Sequence, residues 1–155
     1  MQQITARRWV RGSPPELWRR LADLESLAAD VPGIELVEPF AEPGAPVPGD
    51  TAVLAHRTGH RVVQLRFEVV TNEEPHHLTA RVDGRGGHWL LTVDLTALDD
   101  GASDVLLRAE PDTEAAPGPA PLASRTPVLP RRTSDSVEAL LEALADHVEL
   151  PPSRP

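Results

Sequence analysis

The chain has 155 residues, a formal net charge of −9 and no cysteine, and all 15 of its cationic side chains are arginines. This length suits one domain with a single hydrophobic core. The acidic balance argues against nucleic acid as the main partner, because binding phosphates requires a basic surface. The lack of cysteine excludes disulfides, thiolate catalysis and cysteine-ligated zinc. We find no membrane span and no signal-peptide core, and therefore expect a cytoplasmic protein.

The chain begins with a predicted strand at residues 3–11, followed by a helical segment from Ser13. Ser13 suits a helix N-cap, Pro14 suits the first helical position, and Glu16 lies where a capping box has its acidic member. A break near Asp23 divides the segment into two short helices. The apolar positions recur at helical spacing: Leu17, Leu21, Leu24 and Ala28.

Short segments of alternating apolar and polar residues predict six further strands. They lie at residues 34–38, 51–57, 60–71, 77–83, 88–98 and 104–110. Their close spacing and the hairpin signal at Asp99-Asp100-Gly101 indicate an antiparallel meander. In the central strands one parity is almost wholly apolar, which predicts a sheet with one dry face.

Proline divides the rest of the chain. Segment 39–50 is a predicted loop, and segment 111–132 is either a loop or a lid over a pocket. Residues 133–148 form a predicted amphipathic helix that covers the dry face, with Asp135 and Glu138 as a capping box. Residues 151–155 are a predicted disordered tail, so we expect one domain over residues 1–150.

Taken in order, these elements resemble the START-like superfamily, also called SRPBCC or helix-grip proteins. The resemblance is carried by the opening strand, by SPPELWRRLADLESLAADVPGI at residues 13–34, by the meander and by the last helix. Segment 13–34 looks most like polyketide cyclase/dehydrase-like proteins and a family of carbon monoxide dehydrogenase accessory proteins, which carry an aspartate near the position of Asp23. Asp23 is also suited to cap a helix at the break.

The resemblance implies an α+β helix-grip fold, in which a seven-stranded antiparallel sheet wraps around the long C-terminal helix and two short helices close one end. It also implies a cavity for a largely apolar molecule. We therefore expect a protein that binds a small hydrophobic ligand, polyketide-like or lipid-like, with a cyclase or dehydratase of secondary metabolism as the enzymatic form. The alternative is a non-enzymatic accessory or assembly protein of the carbon monoxide dehydrogenase type that makes its contacts through segment 111–132.

Two polar residues share the parity of the apolar positions. His56 lies on the side of Ala52 and Leu54, so it is either an inward acid–base group or a partly exposed strand-end residue. Arg8 lies on the side of Ala6 and Val10, so it needs a partner or a ligand carbonyl unless a bulge turns it outward. In the enzymatic form we assign proton transfer to His56 and carbonyl anchoring to Arg8.

Inward apolar residues are the candidates for ligand contact. Trp89 can either stack on a ligand or fill the core. No histidine pair has metal-site spacing and no cofactor motif is present, so we expect neither metal nor cofactor. A monomer or a homodimer is expected. The candidate ligand-binding residues are Leu65, Phe67, Leu78, Ala80, Trp89, Leu91, Val93 and Leu141.

Overall fold

The computed structural model describes residues 3–41, 46–84, 87–112 and 131–149, and the side chains of the last range from residue 135 onward. Seven strands form one sheet: β1 (Ile4–Arg11), β2 (Ile34–Glu38), β3 (Thr51–Thr58), β4 (Arg61–Glu73), β5 (His77–Gly84), β6 (Gly87–Ala97) and β7 (Ala102–Pro111). The helices are α1 (Pro14–Ala22), α2 (Leu24–Asp30) and α3 (Arg131–Glu149). Each predicted strand is present, with shifts of at most two residues at its ends.

The strands follow the order β1-β7-β6-β5-β4-β3-β2, and every neighbouring pair is antiparallel. This order places the first two strands at opposite edges and the meander between them. The sheet curls around α3, with α1 and α2 between the first two strands, so the predicted helix-grip fold is confirmed.

The dry face of the sheet is also confirmed. The inward residues of β4 to β7 alternate with more exposed ones, and they pack against the apolar stripe of α3. A fully buried side chain of this size contributes about 1.5–3 kcal/mol, so this face supplies most of the stability. The largest fully buried side chains include Leu65, Leu95, Leu107, Leu140 and Leu141.

The predicted caps of two helices are wrong. Ser13 occupies the N-cap of α1, but its side chain makes no capping hydrogen bond. The helix begins there because Pro14 fits its first turn and the Leu17 amide donates to the Ser13 carbonyl at 3.0 Å. α3 begins at Arg131, so Asp135 lies within the helix and not at its cap. Proline spacing therefore set the predicted start of this helix too late.

Asp23 forms the break between α1 and α2. Its carboxylate accepts from the Ser26 amide at 3.1 Å and from the Ser26 hydroxyl at 2.8 Å, which caps α2. After α2 the chain turns at Gly33, whose φ of +89° suits glycine and whose carbonyl accepts from the Arg57 amide at 2.7 Å. This turn starts β2 beside β3.

The predicted loop or lid at residues 111–132 falls mostly on residues 113–130, which lie outside the described part of the chain, as does the predicted tail. Within the described ranges, no helix combines the length and the apolar character needed to cross a membrane.

Candidate functional site

A cavity of about 90 Å³ lies between the middle of the sheet and α3, beneath the two short helices. The strands β3 to β6 form its floor, and α3 forms the opposite wall. The described lining residues are Trp18, Leu21, Ala22, Leu24, Phe40, Pro46, Leu54, Phe67, Val69, Leu78, Ala80, Leu91, Val93, Leu140 and Leu144.

The two short helices are held against the end of α3 by polar contacts outside the cavity. Arg20 of α1 donates to the Val148 carbonyl at 2.9 Å and so binds an otherwise free carbonyl of the last turn. His147 of α3 is buried, and its Nδ1 lies 3.2 Å from an Asp30 carboxylate oxygen, although the geometry is not that of a hydrogen bond. These contacts fix the wall that Trp18 contributes.

The edge of the cavity at β4 is formed by the segment 46–50. The Asn72 side-chain amide donates to the Pro46 carbonyl. The Gly49 amide donates to the Val69 carbonyl at 2.8 Å, and the Val69 amide donates to the Asp50 carbonyl at 2.9 Å. The segment is therefore attached to β4 beside a lining residue, and it places Pro46 in the wall.

The chemistry of the lining is almost entirely hydrocarbon. Among the described lining residues, Trp18 alone has a polar side-chain atom, its indole Nε1. Trp18 is 4% exposed, and this N–H has no hydrogen-bond partner. No described lining residue is titratable. Elsewhere in the described ranges, no group of three or more His, Cys, Asp or Glu side chains could hold a metal ion.

The structure brings five of the eight predicted ligand-binding residues into the lining: Phe67, Leu78, Ala80, Leu91 and Val93. The other three, Leu65, Trp89 and Leu141, are at most 2% exposed and belong to the packed core outside the described lining. Trp89 therefore fills the core, which is one of its two interpretations.

Sequence reasoning missed the contribution of the short helices and of segment 39–50. Trp18 and Leu21 lie on one side of α1, three residues apart, and a signal was therefore present in the helical stripe. Leu24 begins α2 directly after the break. Phe40 and Pro46 lie in the Pro-rich segment, where no periodic pattern indicates which residues turn inward.

His56 is half-buried beside the cavity and does not form part of the described lining. Its Nδ1 lies 2.9 Å from Ser136 Oγ, and Ser136 is 2% exposed. Leu54 is two residues from His56 on the same strand, and Leu140 is one turn from Ser136 on α3, so both elements continue from this pair into the lining. The pair therefore sits at the border of the cavity.

Arg8 turns inward from β1, and its guanidinium contacts three carboxylates on α3. Nη2 lies 2.8 Å from Glu142 and 3.3 Å from Asp146, and Nε lies 2.9 Å from Glu149. The hydrogen bond from Glu142 raises the pKa of Arg8 above its ordinary value, against the smaller opposing effect of burial. The inward arginine thus has protein partners, and it is not among the described lining residues.

Comparisons with known proteins agree with this architecture. Residues 1–149 match the family model described as polyketide cyclase/dehydrase and lipid transport. A comparison with curated protein sequences found no match. Among solved structures, protein Ms6760 from Mycobacterium smegmatis is 12% identical over 99% of this chain and 93% of its own, with a TM-score of 0.69.

Two further solved structures share the fold. Ara h 8.0201 is 16% identical over 95% of this chain and 97% of its own, with a TM-score of 0.62. The Zhui aromatase/cyclase from Streptomyces sp. R1128 is 16% identical over 96% of this chain and 93% of its own, with a TM-score of 0.60. The predicted START-like resemblance is confirmed. Because the family model covers nearly the whole sequence, the chain belongs to the polyketide cyclase/dehydrase and lipid transport family.

Proposed function

We propose that the chain binds a small, largely apolar molecule in the cavity beneath α1 and α2. One observation carries the proposal: apart from one indole N–H, the described lining is hydrocarbon, and it is contributed by both short helices, four strands and α3. Such a lining favours apolar surface that leaves water, and it offers nothing to hold a charge. The family description, which includes lipid transport, and the aromatase/cyclase among the structural relatives are consistent with such a ligand.

The size of the cavity limits its occupant. Sites for drug-sized ligands usually measure about 300–1,000 Å³, whereas this cavity measures about 90 Å³. A molecule of one aromatic ring matches the present volume, and a polyketide or lipid chain would require the short helices to move outward. A small apolar probe is therefore the right first test.

Catalysis is the second candidate, and the contact between His56 and Ser136 favours it. A hydroxyl 2.9 Å from Nδ1 orients the imidazole, as a proton-transfer group requires. In this form His56→Ala lowers the rate by roughly 10²–10⁴-fold. Arg8 would anchor a substrate carbonyl only by exchanging some of its α3 carboxylates for it.

A titration with α-methylstyrene, followed by calorimetry, tests binding in the cavity. For a ligand of about nine non-hydrogen atoms we expect saturable binding with a Kd of about 1 mM or tighter. Val69→Phe places a ring in the cavity from a residue that is 3% exposed, and we expect it to weaken binding about tenfold or more.

Val62→Phe is the matched control, because it makes the same substitution on the same strand at a side chain that is 46% exposed. It should bind the probe as the unmodified chain does. Thermal unfolding of both variants shows whether Val69→Phe keeps the fold, and Ala22→Leu fills the cavity from α1 if it does not. Equal affinity in the filled and control variants would place the bound probe elsewhere and contradict the proposal.

A further inference from the structure

The cavity contains a hydrogen-bond donor that the protein does not use. Trp18 is 4% exposed and its indole Nε1 makes no hydrogen bond, although a buried N–H almost always has a partner. No other described lining residue has a polar side-chain atom that could accept from it. Leaving such a group unpaired is unfavourable, and an acceptor in the cavity would remove the penalty.

The chemistry of that acceptor follows from the surroundings. An indole N–H donates and cannot accept, so the complementary group is an oxygen such as a carbonyl or an ether. None of the described lining residues is cationic, and the guanidinium of Arg8 is held by three carboxylates. An ionised carboxylate would therefore be buried without a countercharge, which is strongly unfavourable.

We infer that the ligand of this cavity is a neutral, largely apolar molecule with one oxygen acceptor, which takes the N–H of Trp18. This inference rests on the proposed function, because it assumes that the cavity binds a small molecule. It adds a requirement that apolar burial alone does not impose. Trp18 then determines specificity, since it distinguishes a ketone from a hydrocarbon of the same shape.

Three probes of nearly equal shape test the inference: α-methylstyrene, acetophenone and benzoate. Acetophenone replaces the methylene group of α-methylstyrene by a carbonyl oxygen, and benzoate adds a full charge. We expect acetophenone to bind about 3- to 10-fold more tightly than α-methylstyrene, the range of one net hydrogen bond. Benzoate at pH 7 should bind more weakly than both.

The variant Trp18→Phe removes the N–H and keeps an aromatic ring in the wall. It should reduce the preference for acetophenone over α-methylstyrene to about onefold. Trp89→Phe is a matched control, because the indole Nε1 of Trp89 is also buried without a partner but lies outside the described lining. Trp9→Phe is a second control at a side chain that is 53% exposed. Both controls should keep the preference.

A second measurement needs no substitution at Trp18. The indole N–H resonances of the three tryptophans are assigned by elimination with Trp9→Phe and Trp89→Phe. The Trp18 resonance should move downfield with acetophenone and change much less with α-methylstyrene.

If both probes bind but neither the preference nor the Trp18 resonance distinguishes them, the inference is overturned and the apolar cavity remains. Benzoate binding as tight as acetophenone would overturn the requirement for a neutral ligand. If α-methylstyrene and acetophenone both fail to bind the unmodified chain, the proposed function itself fails.

Discussion

Replacing Arg8 by methionine should loosen the attachment of α3 to β1. The guanidinium contacts Glu142, Asp146 and Glu149, and these carboxylates occupy one side of the helix at spacings of four and three residues. Arg8→Met keeps the length of the apolar stem and removes the charge. Three like charges would then face one another on neighbouring turns, without a cation among them.

The magnitude follows from exposure. Arg8 is 25% exposed, and its partners are 43–65% exposed, so the freed carboxylates can rehydrate. Hydrogen bonds to charged groups are worth about 1.5–3 kcal/mol, whereas exposed ion pairs are worth about 0–1 kcal/mol. We therefore expect a loss of about 1–3 kcal/mol in the free energy of unfolding. For a chain of 155 residues this lowers Tm by roughly 3–10 °C.

Urea unfolding at low and high salt measures the effect. Added salt should narrow the gap between Arg8→Met and the unmodified chain, because it screens repulsion among the carboxylates. Arg8→Lys is the matched control: it keeps the charge but lacks the guanidinium fork, so it should recover part of the loss. Because the pKa of Arg8 is raised, its own protonation contributes equally from pH 7 to 9. A stability within about 0.5 kcal/mol of the unmodified chain at every salt concentration would refute the reasoning.

Two further predictions concern other polar contacts. A double-mutant cycle with His56→Ala and Ser136→Ala should give a coupling energy of about 0.5–1.5 kcal/mol, since the hydrogen bond links β3 to α3, and additive effects would contradict that link. The Arg7 hydrogen bond lowers the pKa of Asp104, so its stabilisation is present at neutral pH and is lost as the pH falls below about 4. Asp104→Asn should therefore flatten the acid limb of the stability curve, and an unchanged limb measured by urea unfolding would exclude this ion pair as a contributor.

The fold was predictable because its signals are local and consistent with one another. Alternation along β4 to β7 identified the dry face, and Asp23 with Gly33 marked the ends of the short helices. The errors arose at caps, where one residue type suits several roles. Ser13 begins α1 without using its hydroxyl, and α3 begins at Arg131, ahead of its first suitable acid.

The site was only partly predictable, because parity reports the face of a residue and not its neighbour across the core. Phe67 and Leu65 share one face of β4, yet only Phe67 lies in the cavity wall. Which of them lines a space depends on where α3 and the short helices cover the sheet. Trp18 required that tertiary arrangement, and so did Arg8, whose partners are more than 130 positions away in the sequence.

The central claim is that the cavity beneath α1 and α2 takes a small apolar molecule. A crystal structure of the acetophenone complex tests it most directly. We predict that the phenyl ring lies among Leu54, Val69 and Leu140, with the carbonyl oxygen about 2.7–3.2 Å from Trp18 Nε1. Acetophenone bound on the outer surface, or a cavity filled by ordered water while the ligand saturates elsewhere, would contradict the account.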